Sequence, residues 1–135
     1  MTTPRVSNAL WAQITNLSGQ RLVTPANRSD FEVQVVSLTH VSVAAGISTV
    51  SVSRQAFEQT LDYLITRGHQ GPINHVTIGS NKDPLLASPL CQAARREPGG
   101  TSGRMVITYV LPILEACGAV GIGRTARPGT VWLLP

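Results

Sequence analysis

Apolar positions along the chain change period twice, and each change marks an element. Leu10, Trp11, Ile14 and Leu17 recur at helical spacing behind Ser7, whose hydroxyl suits an N-cap, and Gly19 ends the run. Gln20 to Thr24 reads as a short strand before the polar turn from Pro25 to Asp30. The period then drops to two. Phe31, Val33 and Val35 alternate with Glu32 and Gln34, Val41 and Val43 follow a turn near Thr39 and His40, and Val50 and Val52 alternate with Thr49, Ser51 and Ser53 after Gly46. These three β-branched runs predict a small antiparallel meander.

Helical spacing returns at Ser53, a second capping residue. Phe57, Leu61, Leu64 and Ile65 form one apolar stripe, and Gly68 stops it. His75 to Ile78 reads as a short strand and Gly79 to Lys82 as a turn. Two helix starts follow, Asp83-Pro84 and Ser88-Pro89, so this helix is either kinked at Pro89 or begins at Ser88. Leu85, Leu86, Leu90, Cys91 and Ala94 supply its apolar side, and Arg95-Arg96 end it. Beyond the loop from Glu97 to Thr101, Val106, Val110, Ile113, Leu114 and Cys117 predict a helix over 102–117, with Thr101 or Ser102 as N-cap and Gly118 as a left-handed C-terminal cap. Two short apolar strands then flank the basic turn from Arg124 to Gly129.

The order from Ser53 onward is helix, short strand, helix, helix, strand, basic turn, strand. It resembles the winged helix-turn-helix DNA-binding superfamily over residues 53–134. The run Val110-Leu-Pro-Ile-Leu-Glu-Ala-Cys-Gly-Ala-Val120, the basic turn and Val131-Trp-Leu133 carry the resemblance. A vaguer similarity links the meander, the Phe57/Glu58 helix and the later half to small modules of bacterial restriction or defence proteins. Two features depart from the superfamily pattern, Pro112 in mid-helix and the long connection from Glu97 to Gly103. The resemblance implies a single α+β domain over 1–135. A winged-helix-like half, 53–134, would carry an N-terminal helix and small antiparallel β-meander, 7–52.

The same resemblance implies double-stranded DNA as the partner and a regulatory or defence role. The exposed face of helix 102–117 would enter the major groove, offering Ser102, Arg104, Thr108 and Tyr109. Arg104 is suited to guanine, and Ser102 and Thr108 to phosphate or a thymine edge. Arg124 and Arg127 at the wing tip, and Arg95 and Arg96 at a helix end, would add phosphate contacts. Each has a structural alternative. Ser102 suits an N-cap, the Arg95-Arg96 pair suits the negative end of a helix dipole, and wing-tip arginines suit a solvated turn. Trp11 and Trp132 read as packing residues.

Composition narrows the field. The 135 residues are 42% hydrophobic and 13% charged, too apolar and too weakly charged for a disordered chain. The formal net charge is +4, and ten of the eleven basic residues are Arg, which suits phosphate and guanine recognition; codon bias explains the ratio equally well. Residues 82–135 hold six basic and three acidic residues, against five and four in residues 1–81. Cys91 and Cys117 lack a C-x-x-C spacing and read as free thiols. With neither a long apolar run nor an apolar leader after Met1, the expectation is a cytoplasmic protein without a membrane partner.

No motif points to catalysis. His40, His69 and His75 have no metal-ligand spacing with one another or with the cysteines. Among the scattered carboxylates only Glu58 and Asp62 are paired, at i,i+4, and they read as a solvated helix face. Nuclease, hydrolase-elbow and P-loop patterns are missing, so neither enzyme activity nor a metal or cofactor is expected. The polar segment from His69 to His75 could line a small pocket with Ser80, Asn81 and Lys82. The competing class is a protein–protein adaptor or homodimer, docking through Trp132, Leu133, Leu134 and Pro135.

Overall fold

The computed structural model describes residues 4–96 and 103–135. In chain order its elements are α1 (Asn8–Thr15), β1 (Arg21–Val23), β2 (Asp30–Val36), β3 (His40–Ala45), β4 (Ser48–Ser53), α2 (Arg54–Thr66), a 3₁₀ turn (Pro72–Asn74), β5 (Val76–Thr77), α3 (Pro89–Arg95), α4 (Ile107–Ala116), β6 (Val120–Gly123) and β7 (Thr130–Leu133). The architecture is α+β. β1 to β4 form an antiparallel meander in sequence order, while the second sheet has the order β5-β7-β6, also antiparallel. No helix among the described residues is long and apolar enough to cross a membrane.

Local chemistry explains most boundaries. The Ser7 hydroxyl accepts the Leu10 N–H at 3.1 Å and opens α1, which buries Trp11 and Ile14. Ser53 does the same for α2 through the Ala56 N–H at 3.1 Å. The inward stripe of α2 is Phe57, Leu61 and Leu64; Ile65, expected on it, lies 41% exposed at its edge. Ser88 caps α3 through the Cys91 N–H, with Pro89 at the first helical position, so the second of the two start signals is the one used. Asp83 instead accepts the Leu85 N–H at 2.9 Å and closes a local turn.

α4 is shorter than the pattern suggested. It begins at Ile107, without a side-chain cap, and runs through Pro112 to Ala116. Ser102, the expected cap or contact, lies outside the described residues. Gly103 is not helical because its N–H bonds the Arg95 carbonyl at 2.7 Å, holding that strand of chain against the end of α3. Gly118, at φ +75°, turns the chain from α4 into β6. Trp132 of β7 lies across Gly121 of β6, where an added Cβ would sit 2.6 Å from the indole.

One buried cluster joins both halves. It runs from Trp11 and Ile14 through Phe31, Val33, Val41, Val43, Val50 and Val52 to Phe57, Leu64, Leu90, and Ile107 to Leu114. Phe31 of the meander meets Tyr109 of α4 edge to face at 5.2 Å, and Trp11 meets Phe57 in the same way at 5.6 Å. Six of the ten α4 residues are buried, namely Ile107, Val110, Leu111, Pro112, Ile113 and Leu114. The N-terminal meander is therefore a lid on α4 as well as an extension of the fold.

Candidate nucleic-acid interface

The candidate basic residues separate by what their guanidinium groups touch. Arg95 is only 5% exposed. Its Nε donates to the Gly103 carbonyl at 2.8 Å, Nη1 to Asn81 at 2.6 Å and Nη2 to Lys82 at 2.9 Å. It thus fastens the 81–82 loop and the approach to α4 onto α3. Three of its five N–H donors are thus spent on carbonyls, and its burial gives it a structural role in the wall of the fold.

Arg124 is also committed. Nη2 and Nε donate to the two Glu115 carboxylate oxygens at 2.6 and 3.3 Å, while Nη1 reaches the Thr24 carbonyl and the Asn27 side chain. A further bond from Nη2 meets the Val23 carbonyl at 3.1 Å. This arginine, expected at a wing tip, pins the start of the β6–β7 turn and the C-terminal half of α4 to the β1–β2 turn.

Four other cations, Arg28, Lys82, Arg104 and Arg127, gather around two adjoining hollows. Two hollows of about 460 Å³ each share Met105 and Tyr109. One lies against Lys82, Arg104 and Ser48; the other lies between the 24–29 turn, the 78–80 loop, Thr108 and the turn at Arg127, Pro128 and Gly129. Arg28 joins Arg127 in lining the second. None of the described residues lining either hollow is acidic. The ion pairs among the described residues are Arg5–Asp62, Arg21–Asp30 and Arg124–Glu115, so Arg28, Lys82, Arg104 and Arg127 enter none of them. Arg127 Nη1 donates to its own turn, at the Arg124 and Ala126 carbonyls.

Of the residues expected from sequence, Arg104, Thr108, Tyr109 and Arg127 thus line the two adjoining hollows. Arg96 is exposed in a separate cleft between α2 and α3. Thr108 and Tyr109 are half-buried, and the rest of α4 offers little surface, so this helix does not present the open face that major-groove insertion requires. Sequence reasoning passed over Arg28, which stands in a turn with no helical or strand neighbour to single it out. Ser80 and Lys82 do line hollows, but beside α4 rather than beside the 69–75 segment.

The remaining surfaces have other roles. Glu58 and Asp62 are not a free solvated face: Glu58 accepts the backbone N–H groups of Arg5 and Val6 at 2.5 and 2.6 Å, and Asp62 pairs with Arg5. Leu133, expected on a docking surface, is half-buried against the core and Trp132 is half-buried over Gly121, leaving Leu134 39% exposed. Cys91 is buried, and burial pushes the Cys117 thiol above its ordinary pKa, which lowers its reactivity. No group of three or more His, Cys, Asp or Glu side chains able to hold a metal occurs among the described residues. No family model matches the chain, and no curated protein or solved structure is detectably similar to it.

Proposed function

We propose that this chain is a non-catalytic DNA-binding protein, that its half from α2 to β7 is a winged-helix variant, and that the groove beside Tyr109 is its nucleic-acid interface. The observation that carries the reading is the clustering of Arg28, Lys82, Arg104 and Arg127 around two adjoining hollows that share Met105 and Tyr109, with no acidic residue among their described lining. Cations in a groove reinforce one another's field and attract a polyanion, whereas the same charges scattered over a convex surface are screened singly. The element order and the central place of β7 in the second sheet support the winged-helix part. In this reading Thr108 and Tyr109 in the first turn of α4, with Met105 just before it and the 127–129 turn beside it, face the nucleic acid.

Anisotropy of a labelled random-sequence duplex, titrated at about 50 and 200 mM salt, tests this. Affinity that falls steeply with salt is expected. No binding at the lower salt would overturn it and favour a protein partner. That second reading has an observation of its own: Leu85 and Leu86 stand side by side on the turn before α3, 90% and 70% exposed.

A further inference from the structure

Which form of nucleic acid suits this groove follows from three features. First, α4 is sunk beneath the meander, so a paired duplex cannot receive it as it would a bare recognition helix. Second, the hollow beside the wing is concave and walled chiefly by apolar groups, among them Ala26, Ile78, Met105, Tyr109 and Pro128. Its size, about 460 Å³, falls in the range of roughly 300–1,000 Å³ typical of small-molecule sites. Third, its polar groups are few. Thr24, Ser29, Ser80 and Thr108 supply hydroxyls, and Arg28 and Arg127 supply positive charge.

A ligand matching that description has a flat apolar body, a few hydrogen-bonding atoms on its edge, and an anion beside it. That is a nucleoside phosphate. In paired DNA the faces of each base are hidden in the stack, and removing a base costs the stacking and pairing it loses; an unpaired or mismatched base costs least. The second hollow, with Lys82 and Arg104, continues from the first across Met105 and Tyr109 and provides charge for neighbouring phosphates. A polymer uses both hollows, whereas a free mononucleotide fills only one.

Resting on the groove reading above, we propose that the hollow between Ala26, Ile78, Tyr109 and Pro128 receives one unpaired base of a DNA strand, while Arg28, Arg127, Lys82 and Arg104 hold the phosphates around it. The protein then prefers single-stranded or mismatched DNA to a fully paired duplex.

The test uses the full chain and three fluorescein-labelled probes of about 15 nucleotides: a single strand, its paired duplex, and the same duplex with one central mismatch. The single strand and the mismatched duplex are expected to bind about tenfold more tightly than the paired one. 2-Aminopurine at the mismatch should brighten on binding, as the base leaves the stack. Ala26→Trp fills the hollow from an exposed turn and is expected to bring the mismatched-to-paired ratio close to one. If that variant does not fold, Thr108→Val keeps the shape, deletes the hydroxyl, and is expected to lower the ratio about fivefold. Equal affinity for paired and mismatched duplex in the wild type would overturn this inference and leave the groove reading standing. A preference that survives both variants would overturn it too. Free mononucleotides that displace the strand as well as an equal nucleotide concentration of oligomer would reassign the hollow to a soluble nucleotide. Failure of every probe to bind at about 50 mM salt would remove the groove reading itself.

Discussion

The cleft beside α2 and the groove beside α4 handle charge in opposite ways. Along α2, nearly every charged group has a partner. Arg5 pairs with Asp62, Glu58 takes two backbone N–H groups, and the Arg67 guanidinium lies over the Tyr63 ring at 4.6 Å. Even the uncharged Gln59 is used, donating to the Ala93 and Arg96 carbonyls at the end of α3. Around Tyr109 four cations line the hollows without an ion-pair partner among the described residues. The lesson is that the surplus of +4 is not spread evenly. It collects where the chain is concave, on side chains that enter no ion pair among the described residues.

Variants can break or sharpen that contrast. The largest effect is expected from Arg95→Ala, which leaves three part-buried carbonyls without their donor and a void where the buried side chain stood. Stability should fall by about 3 kcal/mol in urea unfolding, because Arg95 holds the groove wall at Lys82 and Gly103. Arg124→Ala comes next. Glu115 would keep a half-buried carboxylate with no partner, and the meander would lose its pin to the β6–β7 turn, at about 2 kcal/mol after allowance for solvent. A loss below about 0.5 kcal/mol in either variant would mean that these arginines are free side chains after all.

Arg5→Ala with Arg67→Ala strips charge from the other region. It should lower stability by less than about 1 kcal/mol and leave the salt dependence of DNA binding unchanged. A flatter salt slope in that variant would erase the distinction between the two regions. The smallest effect concerns Asp30, whose carboxyl lies below the usual carboxylate range because of its hydrogen bond to Arg21 and the attraction of that charge. A depressed folded pKa means that the ionised group stabilises the fold above its ordinary pKa, and that the benefit fades as pH falls through the lower folded value. Asp30→Asn should therefore be slightly less stable than wild type at neutral pH, with the gap closing in acid. The pair is exposed, so the gap is small. A gap that widens in acid would contradict the assignment.

Much of the fold was legible because its signals are local. Ser7 and Ser53 cap where the pattern placed them, and the alternation from Phe31 to Val52 became the meander. The site was harder to see. Arg95 and Arg124 resemble surface arginines in sequence, and only the folded chain brings the Asn81, Lys82 and Gly103 carbonyls around one and Glu115, Val23 and Thr24 around the other. Donor and acceptor are up to 101 positions apart along the chain, and no periodicity encodes such a contact. The burial of α4 escaped for the same reason. Its stripe announces one apolar face, but not that Phe31 would cover the flank at Tyr109. Arg28 was missed because a turn arginine carries no pattern.

The most direct test of the central claim is a duplex-binding titration between about 50 and 200 mM salt, comparing the wild type with Arg28→Ala, Arg127→Ala, Lys82→Ala and Arg104→Ala combined. Four phosphate contacts predict that wild-type affinity falls roughly 100-fold over that range, and that the combined variant loses most of this dependence while remaining folded. Equal salt slopes for the two proteins would contradict the account, because the groove would then not be where the charge meets DNA.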